Sequence, residues 1–212
     1  MNRIYEDKKE LSGTLIKHSD VVLDIGFWGQ GVNVDDPDWV HTILLNHAAE
    51  VFGLDVYFDA AKLKNPENYV LGDAEDFHFP AQFDVIFAGD LIGHLCNPGS
   101  FLDCCARALK VGGKLVLTTP NCFNLFNLAE KLTKEESTVN SDHTCYFNSK
   151  TMRRLLEKKG WYAVSIDYLY RLDVKHKESY KKKLLNVFYH LLFLVSHKYT
   201  ETLVIVAQKN DS

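Results

Sequence analysis

The chain has 212 residues, enough for one well-buried domain and too few for two domains of ordinary size. Its 46% of hydrophobic and 25% of charged residues argue against extended disorder. A formal net charge of −4 argues against nucleic acid as the main partner, because phosphate binding depends on clustered lysine and arginine. We therefore expect a single domain over residues 1–212 that does not bind nucleic acid.

The N-terminal stretch MNRIYEDKKELSG carries charges where a signal peptide needs an apolar core, so we expect a cytoplasmic protein. The cysteines include the adjacent Cys104 and Cys105 but show no CxxC spacing. Reduced structural thiols explain this pattern better than a zinc site or a disulfide framework. We expect no metal site.

Residues 1–18 form a charged segment that we expect to be helical from residue 4 to 17, followed by a strand at Val21–Ile25. A helix is predicted from Pro37 to about Glu50, because Asp36 is a good N-cap and proline favours the first helical position. Capping also explains the acidic cluster of Asp35, Asp36 and Asp38 better than a metal site does. The buried stripe of this helix is expected to contain Trp39, Val40, Ile43, Leu44 and Leu45.

Short apolar runs then recur at intervals typical of βαβ units and a mainly parallel sheet. The further predicted strands cover residues 51–56, 69–71, 83–88, 114–119, 161–170 and 202–209. The further predicted helices cover residues 98–110, 123–134, 151–159 and 179–196, the first being ended by Val111-Gly112-Gly113. The polar residues 134–142 are a candidate lid.

The stretch VVLDIGFWGQG brings Gly26, Gly29 and Gly31 directly after a buried strand. Glycines at such a turn let a ligand approach the backbone, because a side chain would stand in its way. Two later apolar runs also lead to an acid, at Asp55 and at Asp73. Carboxylates at the ends of neighbouring parallel strands can accept hydrogen bonds from ribose hydroxyls and from an exocyclic amine. The pattern indicates a nucleoside-binding edge.

These motifs, with GDAED at 72–76 and FDVIFAGDLIGHLCNPGSFLDCCARALKVGGKLVLTTPN, resemble in their order the motifs of class I S-adenosylmethionine-dependent methyltransferases. The resemblance covers about residues 21–209. It implies a three-layer, Rossmann-like α/β fold with a seven-stranded mixed sheet whose last strand is antiparallel. It also implies S-adenosyl-L-methionine as the cofactor. The first motif is one residue longer than the usual pattern, and Gly93 stands where many relatives have a glutamate before the histidine.

The resemblance also implies residue roles. The three glycines would pass close to the methionine part, and Asp55 would hold both ribose hydroxyls. Asp73 would accept from the adenine amine, with the backbone of Ala74 against the ring. Asp90 would lie near the methionine amino group or the acceptor pocket. The other cofactor-binding candidates are Asp24, Phe27, Val56 and Glu75.

Methyl transfer from a sulfonium is an in-line displacement, so the protein chiefly holds the acceptor and the methyl group in line. A base is needed only if the acceptor keeps its proton at neutral pH, as a sugar hydroxyl does. His94 and His143 are the candidate bases, and the alternative for each is a hydrogen-bonded structural histidine. Phe27 and Trp28 either shield the sulfonium or pack against the following helix. Tyr146 either lines the acceptor site or belongs to a helix-entry turn.

The sequence therefore predicts a methyltransferase acting on a small-molecule or glycan-type acceptor, at oxygen rather than nitrogen. One alternative is a non-catalytic cofactor-binding or partner subunit of the same fold. Another is an NAD-dependent oxidoreductase, which the glycine spacing disfavours. An apolar helix at 178–197 is expected before the last strand. Its stretch from Leu184 to Val195 is shorter than the roughly 20 residues that span a bilayer, and it either packs or makes a weak membrane-surface contact.

Overall fold

The computed structural model of the protein describes residues 2–29, 33–79, 83–124, 141–169 and 200–209. The predicted cofactor residue Gly31 lies outside the described residues. So do the predicted helix at 179–196 with its apolar stretch, most of the predicted helix at 123–134 and most of the candidate lid. Among the helices that are described, none combines the length and hydropathy needed to cross a membrane.

Within the described residues, eight strands form one sheet in the order β1-β7-β8-β6-β5-β2-β3-β4. The strand β8 is antiparallel to both of its neighbours, and the other pairings are parallel. The prediction of a Rossmann-like mixed sheet with an antiparallel last strand is confirmed. The strands are β1 Ile4–Tyr5, β2 Val21–Ile25, β3 Glu50–Asp55, β4 Tyr69–Leu71, β5 Phe83–Gly89, β6 Leu109–Pro120, β7 Trp161–Leu169 and β8 Thr202–Lys209.

Helices cover both faces of this sheet, which gives the three expected layers. Within the described residues, the α-helices are α1 Lys8–Leu15, α2 Val40–His47, α3 Pro98–Ala108 and α4 Ser149–Lys158. Alternate residues of the central strands point to opposite faces. Ile86 therefore belongs to the core that includes Phe101 of α3 and Met152 of α4. Its neighbour Phe87 belongs to the core that includes Leu11 of α1 and Leu44 of α2.

The prediction of a helix from residue 4 to 17 is wrong in its first part, and this accounts for the eighth strand. Ile4 and Tyr5 pair in parallel with Tyr168 and Leu169 of β7. The Arg3 backbone N–H also donates to the Asp167 carboxylate at 2.8 Å. The helix α1 begins only at Lys8, where the carboxylate of Asp7 caps the Glu10 N–H. A two-residue strand is too short to leave a pattern of alternation in the sequence.

The helix α2 begins at Val40, three residues later than predicted, and its N-cap Trp39 makes no side-chain capping bond. The Asp36 carboxylate accepts from the Asp38 N–H at 2.9 Å, so Asp36 closes a turn before the helix. The stripe is also rotated from the predicted one. Leu45 is 45% exposed, whereas His41 is completely buried.

The strand β6 begins at Leu109, directly after α3, although the sequence predicted a helix to residue 110 and a strand from 114. Val111-Gly112-Gly113 therefore lies inside the strand. Gly112 has a φ of +76°, and the register against β5 shifts between Phe83 and Val85. The glycine pair marks a strand irregularity, which is the usual role of glycine in a strand interior.

Candidate active site

The two acids of the predicted nucleoside edge lie at the tips of adjacent strands. Asp55 ends β3 and stands opposite Leu71 of β4, and the Gly72 N–H donates to the Asp55 backbone carbonyl at 3.0 Å. Asp73 follows one residue later. The structure therefore brings these two predicted residues together on the edge where the other central parallel strands also end.

The Asp55 carboxylate is held in a fixed orientation by two backbone donors. Its Oδ2 accepts from the Trp28 N–H at 2.9 Å, and its Oδ1 accepts from the Tyr57 N–H at 3.3 Å. Each carboxylate oxygen has a second acceptor position, so ribose hydroxyls can still bind. Beside it, Val56 is 74% exposed and Tyr57 is 68% exposed. This exposed apolar surface next to an oriented carboxylate fits a nucleoside.

Asp73 and Glu75, two acids in the loop after β4, make different contacts. The Asp73 Oδ1 accepts from the Glu75 N–H at 2.8 Å, which leaves its other oxygen for an exocyclic amine, and Ala74 is buried. The Glu75 side chain instead reaches the Cys96 N–H, with its Oε1 at 2.6 Å. Glu75 thus ties the β4 loop to the segment before α3. Its predicted cofactor contact stays a prediction.

The glycine loop, which begins at Gly26 directly after β2, packs against other parts of the protein. Gly26 and Gly29 have φ angles of +74° and +52°, which favour glycine. A Cβ at Gly26 would lie 3.1 Å from Cδ1 of Leu91, so the close approach that the structure shows at this position is to a side chain. Gly29 is exposed.

Phe27 and Trp28 are both buried in an aromatic cluster between the loop and α2. The Phe27 ring lies 5.1 Å from that of Tyr69, between ring centroids, and the Phe27 carbonyl accepts from the Trp39 indole N–H at 3.0 Å. Gly53 is required beneath them, because a Cβ there would lie 2.6 Å from Tyr69 and 2.8 Å from Phe27. These are the contacts expected if Phe27 and Trp28 pack against the following helix. Shielding of a sulfonium by Phe27 stays a prediction.

Asp24 belongs to a buried hydrogen-bond relay that sequence reasoning missed. His41 Nδ1 lies 2.9 Å from the Asp24 carboxylate, and His41 Nε2 lies 2.9 Å from the Tyr69 hydroxyl. Burial raises the pKa of Tyr69, which keeps its hydroxyl protonated. In the His41 tautomer that carries its proton on Nδ1, the ring donates to Asp24 and accepts from the Tyr69 O–H at Nε2. Burial also raises the pKa of Asp24, although the hydrogen bond from His41 opposes this. Asp24 is only 3% exposed, and its hydrogen-bond partner in the structure is His41.

Asp90 follows β5 in an unusual backbone conformation with a φ of +54°. Its N–H donates to the Thr118 carbonyl at 2.9 Å, and the Thr118 hydroxyl donates to its Oδ1 at 3.2 Å. Its Oδ2 lies 3.8 Å from Nζ of Lys8. A non-glycine residue in this region costs roughly 1–3 kcal/mol and is found preferentially at functional sites.

The two predicted bases, His94 and His143, are brought into contact. Their ring centroids lie 4.4 Å apart with the rings nearly perpendicular, and the Tyr146 ring lies 5.8 Å from that of His143. The Gly93 carbonyl accepts from the N–H groups of Thr144 and Cys145 at 2.9 and 3.1 Å. This fixes the segment that carries His143 onto the short turn Ile92–His94.

Gly93 makes room for this histidine pair. A Cβ at position 93 would lie 3.3 Å from Nε2 of His143 and 3.4 Å from the Cys145 carbonyl. A longer side chain there would displace His143. The departure from the family pattern at Gly93 is therefore coupled to the position of His143.

We expect His143 to titrate below the ordinary histidine value of 6.5. Burial lowers its pKa, and the neighbouring His94 lowers it further. Replacement of His94 by glutamine removes the second effect, so the His143 midpoint should rise. The midpoint is measured from the chemical shifts of the His143 ring protons in NMR spectra recorded from about pH 4.5 to about pH 8, a range that brackets the reference value. A midpoint that does not move in the His94→Gln variant would contradict electrostatic coupling of the pair.

No group of three or more histidine, cysteine or acidic residues in the described ranges is arranged to hold a metal ion. All five cysteines fall within these ranges, and Cys104 and Cys105 are buried. Asp35, Asp36 and Asp38 are exposed, and Lys9 pairs with Asp38 at 2.7 Å.

The fold and the acid-tipped strands define a nucleotide-binding α/β domain of the class I methyltransferase type. Residues 3–166 match the family described as Methyltransferase domain, and the chain belongs to this family. No curated protein is significantly similar to the chain.

Solved structures support the fold. An S-adenosylmethionine-dependent methyltransferase from Archaeoglobus fulgidus shares 20% identity at a TM-score of 0.63, covering 95% of this chain and 94% of that one. A protein of Bacillus halodurans C-125, provisionally named a methyltransferase, shares 22% identity at a TM-score of 0.61. The match covers 96% of this chain and 98% of that one. A third structure is phosphoethanolamine N-methyltransferase 2 of Haemonchus contortus in complex with phosphomonomethylethanolamine and S-adenosylhomocysteine. It shares 18% identity at a TM-score of 0.59, and the match covers 92% of this chain and 50% of that one.

Proposed function

We propose that the chain binds S-adenosyl-L-methionine and transfers its methyl group to a small-molecule or glycan-type acceptor, at oxygen. The observation that carries the proposal is the pair of acids at adjacent strand tips, Asp55 and Asp73, on the edge where Asp90 leads to the paired histidines. Family membership supports methyl transfer. The acceptor is proposed from the histidine pair.

The residues at this edge fit the cofactor. Asp55 is oriented by the Trp28 N–H and has free acceptor positions for the ribose, and exposed Val56 offers an apolar surface for the adenine. Asp73 has an oxygen for the adenine amine. When bound, the cofactor supplies an activated methyl group on a positively charged sulfur.

The histidine pair can take the proton that an acceptor hydroxyl releases. Because burial lowers the pKa of His143, its imidazole is neutral at neutral pH and able to accept a proton. Asp90 opposes that lowering by its negative charge, so it favours the imidazolium that proton transfer forms. We propose His143 as the base, with His94 positioning it through ring contact.

The test is turnover of methyl-labelled S-adenosylmethionine against a panel of sugars, phenols, carboxylic acids and amines. We expect labelled product from a hydroxyl acceptor, and loss of about 100-fold in rate for His143→Gln, as for removal of a general base. His78→Gln, at an exposed histidine on the β4 loop, is the control and should keep the rate.

Each alternative predicts a different outcome of this test. Labelled product from the amines alone would overturn the oxygen proposal. Binding without turnover across the panel would favour the non-catalytic alternative. Binding of NADH, followed by its fluorescence, in place of S-adenosylmethionine would favour the oxidoreductase.

A further inference from the structure

A cavity of about 730 Å³ lies between α2 and the connection from β3 to β4. Neighbouring parallel strands are usually joined by an α-helix that covers the sheet. In this connection, residues 56–68 form only two short 3₁₀ turns, Ala60–Lys62 and Pro66–Asn68. The face of the sheet beside α2 therefore stays open, and the volume of the cavity is within the range of small-ligand sites, about 300–1,000 Å³.

The cavity is separate from the nucleoside edge. Its lining includes Val21, Glu50 and Tyr69, the first residues of β2, β3 and β4. The nucleoside edge is formed at the other ends of these strands, and neither Asp55 nor Asp73 belongs to the lining. A ligand in the cavity would therefore leave the proposed cofactor and acceptor sites free.

One wall of the cavity is a face of α2 that is turned away from the core. Thr42, Leu45 and Asn46 lie at helical positions that share one face, and all three line the cavity. This explains why Leu45 is 45% exposed although the sequence predicts it to be buried. The opposite wall is formed by residues 62–65 and Asn68 of the connection.

Three ring side chains, those of Trp39, His41 and Tyr69, also line the cavity. Their hydrogen-bonding groups are occupied within the protein. The Trp39 indole N–H donates to the Phe27 carbonyl at 3.0 Å. The two ring nitrogens of His41 lie 2.9 Å from the Asp24 carboxylate and 2.9 Å from the Tyr69 hydroxyl. These side chains therefore offer a ligand mainly ring surface, against which the C–H groups of a sugar ring can pack.

The polar side chains of the lining carry balanced charges. Two lysines and two acids contribute to it, Lys62, Lys64, Asp35 and Glu50. Its neutral polar residues are Thr42, Asn46, Asn65 and Asn68. In the part of the chain that the structure describes, the side chains of Asn46 and Asn65 bond no other residue. A ligand of strong net charge would be repelled by half of the charged groups. Hydroxyl groups both donate and accept, so a neutral polyol can bond amide, ammonium and carboxylate groups together.

We propose that the cavity between α2 and the β3–β4 connection binds a neutral sugar. The sugar ring lies against Trp39 and Tyr69, and its hydroxyl groups bond Asn46 on one wall and Asn65 on the other. The site is distinct from the proposed acceptor site beside the histidines, and the proposal does not rest on the proposed function.

The test uses cofactor-free protein and uncharged sugars: glucose, galactose, mannose, N-acetylglucosamine, maltose and lactose. Binding is measured by saturation-transfer NMR and, because Trp39 lines the cavity, by tryptophan fluorescence. We expect a dissociation constant of about 1 mM or lower for at least one of these sugars.

Two variants locate the bound sugar, with NMR as the readout. Leu45→Trp is expected to weaken binding about tenfold or more, because the larger side chain takes up space in the cavity. Val111→Trp is the matched control and should bind like wild type, since Val111 is 82% exposed on β6 and does not line the cavity. Asn46→Leu, at an exposed position of α2, should fold normally and weaken binding about three- to tenfold, the size of one hydrogen bond.

Absence of binding by all of these sugars would overturn the proposal. So would equal binding by Leu45→Trp and Val111→Trp, because the sugar would then lie elsewhere, for example beside His143 as a methyl acceptor. Binding of glucose 6-phosphate in the absence of any binding by the neutral sugars would also overturn it, because the ligand would then be an anion. Sugar binding that is weakened in Leu45→Trp and kept in His143→Gln supports the proposal, whether or not the protein binds S-adenosylmethionine.

Discussion

Replacement of Asp55 by alanine is expected to weaken S-adenosylmethionine binding by about 100-fold or more. Each hydrogen bond from a ribose hydroxyl to a carboxylate contributes about 1.5–3 kcal/mol, and 1.4 kcal/mol is a tenfold change. The variant also removes the acceptor of the Trp28 N–H, which positions the glycine loop. Isothermal titration calorimetry with S-adenosylmethionine measures the loss.

Two further variants separate these effects of Asp55. Asp59→Ala removes an acid four residues further along the same connection, where it caps a short 3₁₀ turn, and it should bind like wild type. Asp55→Asn keeps an oxygen for the Trp28 N–H but has only one acceptor oxygen, so we expect an intermediate affinity. An Asp55→Ala protein that binds as tightly as Asp59→Ala would remove the main support for the methyl-donor site.

Replacement of His41 by alanine is expected to lower the free energy of unfolding by about 4 kcal/mol, the usual cost of leaving one partner of a buried pair without the other. Both the Asp24 carboxyl and the Tyr69 hydroxyl lose their hydrogen-bond partner, and both residues are buried. The melting temperature should fall by about 10 °C. Thermal and urea unfolding measure the change, with His47→Ala on the same helix as the control. His47 is half-buried, and its Nδ1 bonds the Ile43 carbonyl of its own helix, so we expect a loss of about 1 kcal/mol or less.

The cost of His41→Ala should depend on pH. Burial raises the pKa of Asp24 in the folded protein, and removal of the His41 hydrogen bond removes a lowering effect, so its pKa rises further. A group whose folded pKa is raised favours the folded state below its unfolded pKa and loses this contribution as pH rises through the folded pKa. The difference between wild type and His41→Ala should therefore be smaller near pH 4 than at pH 8. A difference that grows on acidification would contradict the relay.

The strand tips were predictable because a buried parallel strand leaves two signals together, an apolar run and a polar residue where the run ends. Val21–Ile25 and Tyr69–Leu71 have the predicted bounds, and the acids that follow β3 and β4 are adjacent in space. The start of α2 was not predictable in the same way. Asp36 can cap a helix or close a turn, and the sequence does not show which backbone N–H its carboxylate meets.

The interior of the site depended on long-range contacts that no local pattern records. His41 is polar within an apolar stripe, and its partners are 17 and 28 residues away in sequence. The two histidines were each predicted near the pocket, but their ring contact depends on hydrogen bonds from Thr144 and Cys145 to Gly93. The signal available for His41 was its place among the apolar residues of the predicted helix. A polar residue that is buried there needs a hydrogen-bond partner.

The short strand β1 has a consequence for how the protein behaves at high concentration. By pairing with Tyr168 and Leu169, it covers a stretch of β7 that would otherwise present unpaired amides at the rim of the sheet. Unpaired rims of this kind template edge-to-edge association of separate molecules. Trimming the protein through Tyr5 would therefore be noticed first as turbidity and self-association, even though no residue of the nucleoside edge has been touched.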